Sequence, residues 1–391
     1  MKLDRSLRLR ELLYRLRTEG GSPARVAAAV GVGVFIGCSP FWGFHFLICL
    51  VVARILGLNR ILTALASHIS FPGFSLILIG VEVQIARRLR GVPLLSIHSF
   101  RPDDLWRLVW WKHFGGDLMV GSLVVGPILA LAAAWPTYRI ALRRSREPER
   151  NVLIEEAAYR YLGTGLLNWE LVRGKLRYDP VYFSLLRGGA LPDAGRLLDL
   201  GCGRGILFSL LLAARAQAVR GVYPTAWAPP PLHLSFTGIE RSAKTADVAR
   251  EALGAEAHIE VGDLGDLGDL GNLGNLDTAI LPAADAVVLL DVLHYLPAAA
   301  QETLLARAAA VLPPGGLLLI RDADAAGGWR FTATRIQERL SALARRHWRQ
   351  RFHYRSRGEW RRLLEAQGLE VTDASMAAGT PYANVLVTGR K

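Results

Sequence analysis

Hydrophobic positions change their rhythm along the chain. Near the N-terminus Leu9, Leu12, Leu13 and Leu16 recur at helical spacing among Arg8, Arg10, Arg15 and Arg17. That spacing predicts a basic amphipathic helix, suited either to a membrane surface or to a solvated arginine face. Three apolar runs follow at residues 26–53, 61–81 and 118–138, none carrying a formal charge and each long enough to enter a bilayer. Proline and glycine interrupt each run, at Gly37, Pro40 and Gly43, at Pro72 and Gly73, and at Gly126 and Pro127. Basic residues flank all three, among them Arg54, Arg60, Arg87, Arg88, Arg90 and Arg139. Three simple spans would place some of these flanks on the wrong face. The pattern therefore allows either proline-kinked spans or re-entrant half-helices that break at the prolines and turn back.

After residue 150 the rhythm becomes that of short buried strands alternating with helices, the signature of a parallel α/β sheet. Residues 196–205, RLLDLGCGRG, run from an apolar strand through Asp199 into three glycines at every second position, with a helix starting near Ile206. Glycine suits a backbone that turns sharply and lies against a ligand. LSFTGIE predicts a second strand ending at Glu240, AHIEVGD a third ending at Asp263, and ADAVVLLDVLHYLP a fourth that delivers Asp291 and His294. LLLIRDAD is the fifth, and GLEVTDASMAAGTPYANVLVTGRK supplies two more.

Composition refines this division. Residues 1–150 hold 20 of the 47 Lys and Arg but only 9 of the 34 Asp and Glu, so most of the +13 formal charge lies in the half with the apolar runs. Basic flanks beside apolar segments favour anionic headgroups over nucleic acid as the partner. Cys38, Cys49 and Cys202 give neither a disulfide framework nor metal-ligand spacing, and no metal is expected. The polar stretch RRSREPER marks a linker at residues 143–150, giving domains at 1–142 and 151–391. The charged N-terminal segment argues against a cleaved signal peptide.

DLGCGRG resembles the first motif of the class I S-adenosylmethionine-dependent methyltransferases, and the later landmarks stand in that family's order. The resemblance implies a Rossmann-like, doubly wound, seven-stranded α/β domain closed by an antiparallel pair. It implies S-adenosylmethionine held by Asp199, Gly201, Cys202, Gly203, Glu240, Asp263, Leu264 and Asp291, with Glu240 on the ribose and Asp263 near the adenine. Within the repeat GDLGDLGDLGNLGNLD, Asp266 or Asp269 stands as an alternative to Asp263. Lys175, Tyr178 and Tyr182 belong to a segment that either covers the donor or packs before the first strand. SPARVAAAVGVGVFIGCSPFWGFHFL, LNRILTALASHISFPG and LMVGSLVVGPILALAAA in the N-terminal half resemble a small bacterial membrane-domain family of unassigned function, with Phe71 where that family usually has asparagine. This resemblance predicts an all-α integral membrane domain.

Two further readings concern chemistry. His294, with an ordinary pKa near neutrality, is a candidate base at the end of a central strand, although histidine at this place accompanies quite different substrates. His45 and His68, inside apolar runs, are either functional or hydrogen-bonded packing residues. Together these features predict an enzyme at the inner membrane, its catalytic domain facing the cytosol. It would methylate a hydrophobic small molecule such as a lipid, a quinone-like ring or an acyl or aryl-polyene chain, with membrane lipids as partners. A donor-binding sensor or scaffold attached to a membrane transport domain is the alternative. The arginine and aromatic cluster around Trp348, Phe352, His353 and Tyr354 is either a solvated helix face or a surface that fits headgroups or an anionic acyl substrate better than single-stranded nucleic acid.

Overall fold

The computed structural model describes residues 22–41, 43–70, 72–94, 108–144, 147–264, 281–344 and 350–391. The amphipathic segment around Leu9 to Arg17, Phe71, Asp266, Asp269 and Trp348 lie outside the described residues. The chain divides into two compact units, Met1–Pro148 and Glu149–Lys391.

The first unit is helical: α1 (Pro23–Gly37), α2 (His45–Ile55), α3 (Arg60–Ala66), α4 (Pro72–Leu89) and α5 (Leu108–Arg144). Ser22 caps α1, where Pro23 loses nothing at a position whose N–H has no helical partner. The first two apolar runs do break where glycine and proline stand, between α1 and α2 and between α3 and α4. The third does not: α5 continues through Pro127 and Pro136, so it makes no re-entrant return. Val34, Cys38, Leu78 and Val125 form the core joining α1, α4 and α5. Asp117 on α5 is buried and pairs with Arg87 at 3.3 Å and Arg90 at 2.9 Å. His45 and His68 bond the backbone carbonyls of Ser39 and Ala64 at 2.8 and 3.0 Å, as packing residues do.

The second unit opens with α6 (Pro148–Tyr159), α7 (Leu166–Tyr178) and α8 (Pro180–Arg187). Strands and helices then alternate: β1 (Ala194–Leu200), α9 (Ile206–Val219), β2 (His233–Glu240), α10 (Ala243–Leu253), β3 (His258–Val261), β4 (Ala286–Leu290), α11 (Ala298–Ala310) and β5 (Leu317–Ala323). After α12 (Trp329–Ala344) and α13 (Arg357–Glu365), the strands β6 (Glu370–Ser375) and β7 (Asn384–Arg390) complete the domain.

The seven strands lie in the order β3-β2-β1-β4-β5-β7-β6. The first five are parallel and β7 is antiparallel to both β5 and β6, the doubly wound layout with the expected closing pair. Helices cover both faces, which is why β5 is buried at all seven positions instead of alternating. The order reverses between β1 and β4, and their carboxyl ends therefore splay into the crevice where open α/β sheets bind ligands. β3 is shorter than its sequence suggests, ending at Val261 with Asp263 two residues beyond it.

Candidate functional site

At the end of β1 the backbone turns through Gly201 (φ +82°), Gly203 (φ +57°) and Gly205 (φ +71°). The reasons for glycine differ. A β-carbon on Gly201 would meet Val292 Cγ2 at 2.4 Å, whereas one on Gly203 would meet nothing within 4 Å. Gly201 is thus required by packing, while Gly203 leaves a cradle open. Gly201 and Cys202 anchor the turn by donating to the Ile239 carbonyl at 2.8 and 3.1 Å. Cys202 packs against β2 at Gly238, where a β-carbon would approach its Sγ to 2.6 Å.

Asp199 is buried, and its Oδ1 has no hydrogen-bond partner among the described residues. Its burial, and then the neighbouring Glu240 charge, push its carboxyl up to about 7. An unpartnered buried carboxyl is costly and suits a cationic or hydrogen-bond-donating ligand. Glu240 ends β2 and binds the turn itself: Gly203 N–H donates to Oε2 at 3.1 Å and Ser242 N–H to Oε1 at 2.9 Å. These contacts fix the carboxylate while leaving lone pairs for two further donors. Asp263 accepts from Arg241 Nε at 2.9 Å, and Leu264 is buried.

A second group of residues gathers beyond β4. Among the described residues Asp291 is the non-glycine residue with positive φ, +58°, and its N–H donates to the Arg321 carbonyl at 2.9 Å. Its carboxylate pairs with the Arg321 guanidinium and, at 3.1 Å, with Lys175 Nζ on α7. Asp179 completes the network, 3.0 Å from Lys175 and 3.1 Å from Arg321. Desolvation would raise the Asp291 carboxyl, but Arg321, Lys175 and His294 outweigh it and hold it at about 2. Removing Arg321 would leave Asp291 and Asp179 to share the single cation of Lys175, so that one negative charge of the network goes uncompensated.

His294 lies on a short 3-10 turn after β4 and is 3% exposed. Asp322 on β5 fixes it twice: Nδ1 donates to Oδ1 at 2.8 Å, and the backbone N–H donates to Oδ2 at 3.0 Å. Burial lowers its pKa, yet the Asp322 carboxylate outweighs burial and leaves the imidazole above its ordinary value. Nε2 is buried with no partner among the described residues. Such an imidazole, oriented through one nitrogen and open at the other, can accept a proton.

A cavity of about 240 Å³ is lined by Lys175, Asp179, Asp291, His294, Arg321 and Asp322, with Tyr178, Thr334, Glu338 and Tyr354 among its other walls. Asp199, the glycine turn, Cys202 and Glu240 cluster at β1 and β2, with Asp263 and Leu264 just past β3, while Asp291 lines the cavity with His294. Tyr178 lines that cavity too, whereas Tyr182 is buried in α8 and packs. Sequence reasoning missed Asp179, Arg321 and Asp322. The signal was present, since Arg321 and Asp322 are charged residues in an otherwise apolar, fully buried strand.

A family model described as a methyltransferase domain matches residues 173–374. A second, described as an uncharacterized protein conserved in bacteria, matches residues 7–150. Among solved structures, a magnesium protoporphyrin IX methyltransferase from Synechocystis PCC 6803 with bound SAH is 17% identical, with TM-score 0.37, over 57% of this chain and 86% of that one. An S-adenosylmethionine-dependent methyltransferase from Mesorhizobium loti is 18% identical, with TM-score 0.36, over 54% of this chain and 96% of that one. No curated protein sequence matches the chain.

Proposed function

Because this chain belongs to the methyltransferase-domain family, whose methyl donor is S-adenosylmethionine, we propose that it transfers the methyl group to a hydrophobic small-molecule acceptor at the inner membrane. The observation that carries the donor site is Asp199, a buried carboxyl with a free oxygen beside a glycine turn that is open at Gly203. The residues fit the donor. Asp199, Gly201, Cys202 and Gly203 would hold its charged amino-acid portion, Glu240 its ribose hydroxyls, and Asp263 with Leu264 its adenine. When bound, the donor supplies a sulfonium-activated methyl group whose bonding electron pair leaves with the sulfur.

What the protein adds is positioning and proton control. His294 accepts at Nε2 the proton lost by an acceptor hydroxyl or amine, and Asp322 keeps the imidazole in the required tautomer. Lys175 and Arg321, each neutralised by Asp291 and Asp179, give the cavity a polar wall against which the reacting end of the acceptor is oriented.

The membrane location is supported by α5, whose stretch Phe114–Leu142 is 29 residues long and apolar enough to cross a bilayer. Leu123, Ile128, Leu131 and Trp135 on it are exposed, an apolar surface suited to lipid. The catalytic domain faces the cytosol, where the donor is made. The test is transfer of radiolabelled methyl from the donor into a membrane lipid extract by the full chain. Label in an organic-soluble product is expected; a water-soluble product would count against the acceptor class. Failure of calorimetry to detect donor binding would remove the enzyme itself.

A further inference from the structure

The cavity at His294, at about 240 Å³, falls short of the roughly 300–1,000 Å³ of ordinary ligand sites, so by itself it admits only the reacting end of an acceptor. The rest of that molecule needs another surface. A groove of about 680 Å³ adjoins it, lined by Phe331, Ile336, Leu340 and Phe352, with Arg335 and Arg339 along α12. Tyr354 is a wall of both spaces. Its ring stacks on His294 at 5.5 Å and meets Phe331 edge-on at 5.1 Å.

The groove is apolar in its floor and cationic in its walls. Ile336 and Leu340 are 56% and 61% exposed, side chains that a bound apolar body would cover. Arg335 lies over Phe331 and Arg339 over Phe352, each 5.9 Å from the ring centroid. Arg339 donates to the Gln350 carbonyl at 3.1 Å, and among the described residues neither guanidinium is paired with a carboxylate. Their charge is therefore free for a ligand. The Phe352 ring is in turn 5.9 Å from His294, so Arg339 stands one aromatic ring from the candidate base and Arg335 two, through Phe331 and Tyr354.

We infer that the acceptor is an amphiphilic anion: its apolar body lies on Phe331, Ile336, Leu340 and Phe352, its anionic group pairs with Arg335 and Arg339, and its nucleophilic end passes Tyr354 to His294. The inference rests on the methyltransferase reading and deepens it by assigning the acceptor's chemical class. Charge and shape act together: the arginines select the anion, and the aromatic floor selects the body.

The test is photo-crosslinking of the full chain in phosphatidylcholine nanodiscs with a diazirine-bearing long-chain carboxylate, using the matching long-chain alcohol as control and mapping labelled peptides by mass spectrometry. The carboxylate should label α12 and the segment at Phe352 and Tyr354. The double variant Arg335→Gln, Arg339→Gln should label about fivefold less, in line with two solvent-facing charge pairs. Equal labelling by the alcohol, or labelling indifferent to the double variant, would overturn the inference. Phosphatidylglycerol discs test the other source of an amphiphilic anion: if they abolish labelling outright, the groove binds the lipid surface and the inference fails. Donor binding, measured by calorimetry on the same samples, separates the two readings. Donor binding without groove labelling sinks the acceptor class alone, and absent donor binding sinks the enzyme. Retained donor affinity in the double variant shows that it is folded.

Discussion

Asp322 grips His294 at two points, its Oδ1 2.8 Å from Nδ1 and its Oδ2 3.0 Å from the backbone nitrogen. The contact carries orientation and charge together, and it makes the imidazole more basic than an isolated one. In the proposed reaction the free base takes the proton, so transfer should rise with pH through that elevated pKa. Asp322→Asn removes the carboxylate's pull, and the acid limb of the rate profile should move to lower pH while kcat falls. His294→Ala should cost about 10²–10⁴-fold in kcat with donor affinity unchanged. The linkage to stability has the opposite sense. A folded pKa above the unfolded one stabilises fully below the unfolded value, and that contribution is lost as pH rises through the folded value. Thermal unfolding should therefore show the Asp322→Asn penalty at about pH 6 shrinking in alkaline buffer.

Asp199 should make donor binding pH-dependent. Its carboxyl is pushed up to about 7, so near neutrality a large fraction is uncharged. A cationic donor favours the ionised form, and affinity should increase between about pH 6 and pH 8 as the proton leaves. Asp199→Asn should weaken binding and flatten this dependence. A pH-independent wild-type affinity in calorimetry would remove Asp199 from the donor site. In the absence of donor the same raised pKa stabilises the fold below the ordinary carboxyl range and loses that contribution as pH climbs through about 7.

Gly201 and Gly203 should respond differently to alanine. Both have positive φ, which costs roughly 1 kcal/mol or more for a residue with a side chain. Only at Gly201 does the new methyl also collide, with Val292 at 2.4 Å, adding about 1–3 kcal/mol of overpacking. Gly201→Ala should lower the melting temperature clearly. Gly203→Ala should lower it less and instead reduce donor affinity, because its methyl enters the open cradle. Similar melting shifts with intact affinity in both would contradict this assignment.

Arg88 and Arg139 test whether α5 crosses the bilayer. Arg88 stands near the Arg87–Asp117 and Arg90–Asp117 pairs at one end of α5, and Arg139 lies toward the other end. Arg88→Cys and Arg139→Cys should react with an impermeant maleimide from opposite faces of sealed vesicles. Reaction from one face only would mean that α5 does not span.

Relationships between residues close together in the chain were legible in its sequence. The glycine turn, the acids at strand ends and the antiparallel closing pair follow from backbone rules that act over a few residues. The Gly203–Glu240 contact was legible only as two separate landmarks. The charge network was not: Lys175, Asp179, Asp291 and Arg321 come from α7, the start of α8, the end of β4 and β5, and nothing local in their spacing pairs them. The same holds for the interruptions in the apolar runs. Two open into helix breaks and the third, around Pro127, is carried through a continuous helix, because packing against α1 and α4 decides whether a proline bends or ends a helix.

The order of strands and helices, the glycine turn after β1 and the separation into an apolar, basic half and an α/β half were determined by sequence alone, since each depends on periodicity or on a residue's own backbone preference. Tertiary structure alone decided which carboxylate orients His294, which cations neutralise Asp291, and that an apolar, arginine-walled groove adjoins the candidate base. These depend on the reversal of strand order between β1 and β4 and on where α12 packs, and such long-range packing brings together side chains whose sequence positions carry no mutual signal.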